Sequence, residues 1–473
     1  MDQEWDVIVV GAGSAGIPTS IFAANRGAKI LQIESNYRIG GTLFMSSGQI
    51  SAAGTKRQKE MGINDSASEH YNDAQRISEN TIDPILGRLA IDNAADTYDW
   101  LESIGYLPIA NHPVSGSAHE HYLKRRYHWS EDAAIGILNV LEPIHKKLVS
   151  EKKIDLRLKS RMTKIIKNVK EEAIGIEAEV DNQKKHFYGK NIVITTGGYA
   201  HNKDLWSELT PNIPLRAWTN EHSLGDGLIA AREIGAGYDG AEKFLCTFAG
   251  VLEDPEDPFS TSLGMQFSPQ LREPWEIYVN SNGKRFVRED NPSVHQREHA
   301  LLKQKDQKMF IIFDERIKQN SPLINPLMGN KINKKYGNHP NYSKADSIEK
   351  LASKINVPIE NLVQTINSYN SSCDSGIDKE IGRERMFGKI DEPPFYAIHA
   401  GGITVVSPAG LKTNDSLNVL RTDGSIIPNL YAAGEVLGFT RLSGSAFVNG
   451  MSLMPALTFG KLLGEKILHW NKN

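Results

Sequence analysis

Three glycines and one acid carry the clearest chemistry in this sequence. Gly11, Gly13 and Gly16 follow an apolar run at 7–10, and Glu34 stands 23 positions after Gly11. This spacing suits a pyrophosphate. Gly11 permits a tight turn out of a strand, and Gly13 lets backbone approach the phosphates. Gly16 lets the next helix pack against the strand. Ser14 and Ala15 lie inside the same turn and belong to the same candidate site. The free N–H groups and positive end of the helix then face the phosphates. Glu34 ends a second predicted strand, 29–33, where a carboxylate accepts a hydrogen bond from a ribose hydroxyl. A bare glycine triplet is a weak signal, but strand, triplet, helix and spaced acid together read as a dinucleotide site. Gly40, Gly41, Thr42, Ser47 and Gly48 follow. Adjacent glycines and hydroxyl residues suit backbone wrapped round a phosphate and a flat ring, although a flexible loop has the same composition.

The elements that must hold these residues are those of an α/β protein. Residues 91–104 and 133–148 show apolar side chains at helical spacing. Residues 153–195 read as strands, with Ile174, Ile176, Ala178 and Val180 alternating on one face and 191–194 a buried run. From about 241 prolines interrupt regular structure, at Pro255, Pro258, Pro269 and Pro274. Strands are predicted at 275–280, 283–287 and 309–313, helices at 346–371, and surface loop at 319–345. Gly401-Gly402 reads as a turn at a domain junction, and 452–469 as a last helix. The division expected is 1–240, an inserted domain at 241–398, and a return to the first domain at 399–473.

Composition narrows the classes. The chain has 473 residues, 40% hydrophobic, and a formal net charge of −3, so nothing favours nucleic acid or an anionic membrane. No apolar run is long enough to span a bilayer, and the first strand leaves no room for a signal peptide, which points to the cytoplasm. Cys246 and Cys373 form no CxxC or CxxCH pattern, which argues against covalent haem or an iron–sulfur cluster on this chain's own thiolates. His119 and His121 lack nearby Cys or acidic ligands at zinc spacing, so no metal site is expected. The stretch 119–129 gathers His, Tyr, Arg and Trp. It reads equally as an active-site wall offering a proton donor or as a solvated basic loop.

The segments Gly11–Gly16, Glu34 and 40–48 resemble the FAD site of the fumarate reductase/succinate dehydrogenase flavoprotein family. This family includes 3-ketosteroid dehydrogenase-like members. Three later motifs agree. The run 192–198 is a strand entering a second glycine turn at Thr196, Gly197 and Gly198. Gly225-Asp226-Gly227 opens a helix, and 429–436 resembles the family's late strand and Gly434-Glu435 turn. The resemblance implies a Rossmann-like FAD-binding domain with an inserted α+β capping domain. It implies FAD, held non-covalently because the loop lacks the histidine that some members attach to flavin. It also implies hydride transfer between flavin N5 and a C–C bond beside a carbonyl or carboxylate. Such chemistry needs an anion hole, a proton donor and exclusion of water.

Candidates for those roles follow from the resemblance. Arg441, in Arg441-Leu-Ser443-Gly444-Ser445-Ala446, matches the segment whose arginine grips substrate carboxylate, and Ser445 and Ala446 fall against the flavin. His399 precedes a Gly-Gly pair as a substrate-holding histidine does, with a spacing one residue shorter. Arg316 comes two positions before the family's proton-donating arginine, so a structural role at a strand end competes with it. Glu289 matches the acid of the family's arginine relay, but Pro292 stands where the next arginine falls, leaving Arg297. At the cap entrance Cys246-Thr247-Phe248 replaces a histidine. Loss of that ligand argues against a plain dicarboxylate and leaves room for a cyclic or steroid-like ketone, or an oxo acid. Tyr122, Tyr127, Tyr278 and Tyr396 are the available acid–base tyrosines, each of which also fits a buried structural role. The leading expectation is a ketone desaturase. A fumarate-reductase-like enzyme is the nearest alternative and a non-catalytic FAD-binding protein the more distant one. Either catalytic reading requires a small-molecule substrate and a separate electron donor or acceptor.

Overall fold

The computed structural model describes residues 5–117, 119–262, 272–321 and 333–470. The chain divides into two compact units. The first comprises Met1–Thr210, Asn220–Phe244 and Val406–Asn473; the second comprises Pro211–Thr219 and Leu245–Val405.

The first unit opens with β1 (Trp5–Val10), α1 (Gly16–Asn25) and β2 (Ile30–Ile33). Helices α2 (Ala67–Ile77), α3 (Pro84–Asp92), α4 (Ala94–Ser103) and α5 (Ile135–Ser150) follow. The meander is β3 (Ile154–Arg157), β4 (Ser160–Lys167), β5 (Ala173–Val180) and β6 (Gln183–Ile194), and α6 (Asp226–Glu233) comes next. The second unit contains β7 (Thr247–Leu252), β8 (Thr261–Ser262), β9 (Ile277–Val279), α7 (Val294–Leu302), β10 (Lys308–Asp314) and α8 (Glu315–Asn320). It continues with β11 (Tyr342–Ala345), α9 (Ile348–Lys354), α10 (Ile359–Ser375) and β12 (Phe395–Ile403). The chain ends with β13 (Asn418–Leu420), β14 (Ile426–Ala432) and α11 (Leu453–Leu462) of the first unit.

The first unit's sheet runs β13-β14-β6-β1-β2-β3, with β4 and β5 continuing from β6 as an antiparallel meander. The five strands β14, β6, β1, β2 and β3 are parallel. Val7, Ile8, Val9, Ile30, Leu31, Ile192, Val193 and Ile194 are wholly buried. That is why these strands read as continuous apolar runs: the side chains on both faces of the parallel sheet are buried, and α1 packs on β1 and β2. Helix α11 packs on α1 through Gly460, where a Cβ would stand 2.2 Å from the Ala15 carbonyl oxygen. The predicted helix 91–104 is interrupted at Asn93, whose amide bonds back to the Leu89 carbonyl at 2.9 Å. Such side chains compete with the helical backbone. Helix α3, before the break, is capped by Asp83, whose Oδ1 accepts from Ile85 and Leu86 N–H.

The second unit is built on an antiparallel sheet, β8-β7-β12-β10-β9, with β11 also paired to β12. Three expectations are corrected here. Gly401-Gly402 lies inside β12, bonded to β7 and β10 on either side, and forms no turn. The predicted strand 283–287 makes a single bridge, Arg285 to Val279, because Asn280 and Gly283 (φ +70°) close a turn there. Of the loop predicted at 319–345, residues 342–345 form β11, and 322–332 lie outside the described residues, as does Pro269. The second unit also takes in 399–405, because β12 is one hydrogen-bonded element. It takes in 211–219 because Arg216 and Trp218 bond to the backbone of Thr404.

Candidate functional site

A cleft opens in the first unit at the carboxyl ends of β1, β2 and β6. Open α/β sheets bind ligands at this edge. Gly11, Gly13, Ser14, Ala15, Glu34, Gly41, Thr42, Thr196, Gly197, Asp226, Gly434 and Glu435 all line it. Gly11 holds φ +107°, and a Cβ there would lie 2.4 Å from the Thr195 carbonyl oxygen. A Cβ on Gly16 would lie 2.1 Å from the Gly11 carbonyl oxygen, so this glycine serves packing. Gly13 differs, because a Cβ there meets nothing within 4 Å and would project into the cleft. The Glu34 carboxylate is held by the N–H groups of Ala12 and Asn36, each at 2.8 Å, with acceptor capacity left over. Thr196 lines the cleft, and its hydroxyl, buried and without a partner, lies against Gly227. A glycine-floored cleft, a fixed carboxylate and an unpartnered hydroxyl fit the pyrophosphate and ribose of FAD.

The remaining cofactor candidates frame the cleft. Gly40 (φ +117°) donates to the Ala12 carbonyl at 2.7 Å, Gly48 abuts Ala133, and Gly198 lies against Ser407 and Glu435. Ser445 N–H donates to Thr81 Oγ1, and Ser47, Ala446 and Gly16 are absent from the cleft wall. Burial raises the Glu435 carboxyl above the usual carboxylate range, offset in part by the Ser407 N–H at 2.7 Å. Asp226 is paired through both oxygens with Arg161. The sequence reading missed Ser35, Asn36, Ser160, Met162, Asn220, His222 and Ser223, which complete the wall. They come from loops and the start of the meander. Only Asn220, His222 and Ser223 carry a sequence signal, their place just before Gly225-Asp226-Gly227.

The substrate candidates of the first unit are already engaged. Arg441 is buried; its Nε and Nη2 donate to Asp83 Oδ2 at 3.1 and 2.5 Å, and Nη1 donates to the Leu411 carbonyl at 2.8 Å. The Tyr122 hydroxyl donates to the Asn449 carbonyl and meets His70 and Ser51, and burial raises its pKa. Tyr127 sits in a short strand, 127–128, paired with Ile50–Ser51. His119 stacks on Phe447, and burial pulls its pKa down to about 4. Arg126 is ion-paired with Asp65 and Asp73, and Tyr122, Arg126, Tyr127 and His128 are buried while His121, Leu123 and Arg125 are exposed. No cluster of metal ligands exists among the described residues.

In the second unit Tyr278 donates to Glu276 inside a buried network of Arg272, Glu276, Arg285, Glu289, Asp378 and Arg383. Glu289 is thus held by Arg285, while Arg297 Nη1 donates to the Asn291 carbonyl. Arg316 pairs with Asp391 and Glu392 and donates to the Lys389 carbonyl, tying down the loop before β12. The Tyr396 hydroxyl donates to Glu315 and accepts from Lys318 at 3.1 Å. His399 Nδ1 meets Asn341 Oδ1 at 3.0 Å; because the Asn341 amide donates to the Leu252 carbonyl, the imidazole carries its proton on Nδ1. Burial, then Lys308 and Arg216, bring the His399 pKa down to about 3. The Cys246 thiol is buried with its pKa raised.

The sequence pattern of the FAD binding domain family matches residues 6–449. The chain belongs to this family. It is 28% identical over 480 residues to the "Fumarate reductase (cytochrome)" of Shewanella frigidimarina, covering 99% of this chain and 77% of that one. It is 27% identical over 461 residues to the "Vinyl phenol reductase" of Lactiplantibacillus plantarum, covering 92% of this chain and 90% of that one. The fold matches a 3-ketosteroid Δ1-dehydrogenase from Sterolibacterium denitrificans with a TM-score of 0.76 at 19% identity, over 99% of this chain and 100% of that one. This member of the FAD-binding family is a flavoprotein oxidoreductase of the kind acting on CH–CH bonds. Among the described residues no helix is long and apolar enough to cross a membrane.

Proposed function

We infer that this flavoenzyme exchanges hydride with the CH–CH bond α,β to the carbonyl of a cyclic or steroid-like ketone. The observation that carries this reading is the closure of Arg441 by Asp83. A guanidinium whose charge is already met by a carboxylate is a poor receptor for a second one. It still has N–H hydrogens to place on a neutral carbonyl oxygen, where enolate charge develops. Bound FAD supplies the hydride acceptor or donor. Arg441 polarises the carbonyl. The proton moves through a tyrosine. His399, neutral and with its Nδ1 proton given to Asn341, has only an acceptor left and has a structural role in this reading. Arg316 serves structure in this reading. Electrons pass to or from a separate carrier, and the enzyme works in the cytoplasm.

The rival is reduction of an unsaturated carboxylate, favoured by the fumarate reductase among the relatives. One anaerobic experiment separates them. Cyclic ketones are expected to bleach the visible flavin absorbance, and cyclic enones to restore it after chemical reduction. Reoxidation by fumarate with no response to any enone would overturn the ketone reading.

A further inference from the structure

A chain of hydrogen bonds in the core of the first unit stands behind the glycine turn, and the chemistry above does not use it. Strand β2 is apolar except for Gln32, which is wholly buried, in register with Val9 of β1 and Leu156 of β3. His145 of α5 is wholly buried as well. Polar side chains are costly in such a place unless they are bonded. Gln32 Nε2 donates to the Gly11 carbonyl at 3.1 Å, and Gln32 Oε1 lies 2.6 Å from His145 Nε2. An amide oxygen only accepts, so His145 carries its proton on Nε2 and gives it to Gln32. Burial brings the His145 pKa down to about 4, which keeps the ring neutral.

The Gly11 carbonyl receives a second bond from the opposite side. Thr195, which follows β6, donates its hydroxyl to this oxygen at 3.1 Å and to the Val10 carbonyl at 2.9 Å. Strands β2 and β6 flank β1, so side chains from both neighbours hold the first carbonyl of the turn. A trans peptide is planar, with its C=O and N–H pointing opposite ways. Fixing the Gly11 carbonyl therefore fixes the Ala12 N–H, which donates to Glu34 Oε2 at 2.8 Å. The Asn36 N–H holds the other carboxylate oxygen at 2.8 Å. An apolar side chain at position 32 would serve packing as Leu31 and Ile33 do; the amide adds the bond to the turn.

We propose that Gln32 and His145 are positioning residues for FAD: through the Gly11–Ala12 peptide they aim the Glu34 carboxylate at the ribose hydroxyls of the adenosine. Neither side chain lines the cleft, so both act through the turn. His145 sets the direction of the amide, turning Oε1 away from Gly11 and Nε2 toward it. Without His145 the reversed amide is no longer excluded, and it sets oxygen against oxygen at the Gly11 carbonyl. The carboxylate is thus held in its binding geometry by the protein alone, which lowers the ordering cost of taking up the cofactor.

Release of FAD from the loaded full chain, read by the rise of flavin fluorescence on dilution, tests this. Gln32→Met keeps the bulk and loses the amide, and is expected to raise the FAD dissociation constant about tenfold. His145→Phe leaves the amide undirected and is expected to raise it about fivefold. A merely structural role would give the same factors whatever stands at position 34. Glu34→Gln has one acceptor oxygen for the N–H groups of Ala12 and Asn36, so none is left for ribose. In that background, itself weaker for FAD, Gln32→Met is expected to add less than about threefold and His145→Phe less than about twofold. Should Gln32→Met fail to fold, His145→Phe alone and combined with Glu34→Gln carries the test. Equal factors in the two backgrounds, or wild-type FAD retention in both single variants, would overturn the proposal. No redox substrate enters these measurements, so their failure is distinct from failure of the ketone reading.

Discussion

At the scale of single residues, one aspartate decides how the site reads. Asp83 uses one oxygen to cap α3 and the other to hold Arg441. Sequence alone offered Arg441 as a free fork, because the residue that closes it lies 358 positions away and its only local signature is a helix cap before Pro84. Asp83→Asn preserves an oxygen for the cap and removes the counter-charge. Fumarate or succinate is then expected to perturb the flavin spectrum at roughly tenfold lower concentration than in the wild type. Arg441→Met leaves the Asp83 carboxylate half-sheltered and unpaired, an expected loss of about 3 kcal/mol in urea unfolding. Unchanged dicarboxylate binding in Asp83→Asn would mean that the pair is not what sets substrate charge.

At the scale of elements, the legible parts were those with a local physical rule. The βαβ opening was readable because turn, phosphate approach and packing each demand a glycine at a fixed place. Gly16→Ala puts a methyl onto the Gly11 carbonyl and is expected to lower stability by about 1–3 kcal/mol even without flavin. Gly13→Ala meets no protein atom, so the apoprotein is expected to unfold at the wild-type urea concentration while the flavin-to-protein absorbance ratio falls. If both variants lose stability equally, the cleft assignment of Gly13 is wrong. Where glycines follow tertiary need, sequence misled: Gly401-Gly402 has the composition of a turn yet lies inside a central strand. The same holds for Ser35, Ser160 and Met162, which reach the cleft only because β4 starts beside β2.

At the scale of the whole molecule, the expectation of an inserted domain rests on glycine motifs at both ends and prolines at 255, 258, 269 and 274 between. The exact membership of 211–219 was not legible, since it depends on two backbone bonds to Thr404. Another property emerges only from the folded chain. Burial holds His119 and His145 at about 4 and His399 at about 3, and pushes His70 and His128 well below the ordinary value. Each imidazole is therefore neutral when folded and titrates near its ordinary pKa of about 6.5 when unfolded. Below that pH the unfolded chain binds more protons, so folding stability is fully present above about 6.5 and is lost as the pH falls toward 4. The expected slope is about 1.4 kcal/mol per pH unit for each such histidine within this window. The carboxylates lowered by their ion pairs add their own loss only further into acid. Urea unfolding of the FAD-loaded protein at pH 7.5, 6.5 and 5.5 reads this directly: the midpoint should fall modestly between the first two and sharply at the third. His145→Gln removes one of these groups, at the cost of its bond to Gln32, and should lessen the fall between pH 6.5 and 5.5. A midpoint that stays level down to pH 5.5 would show that these histidines take up protons without opening the fold.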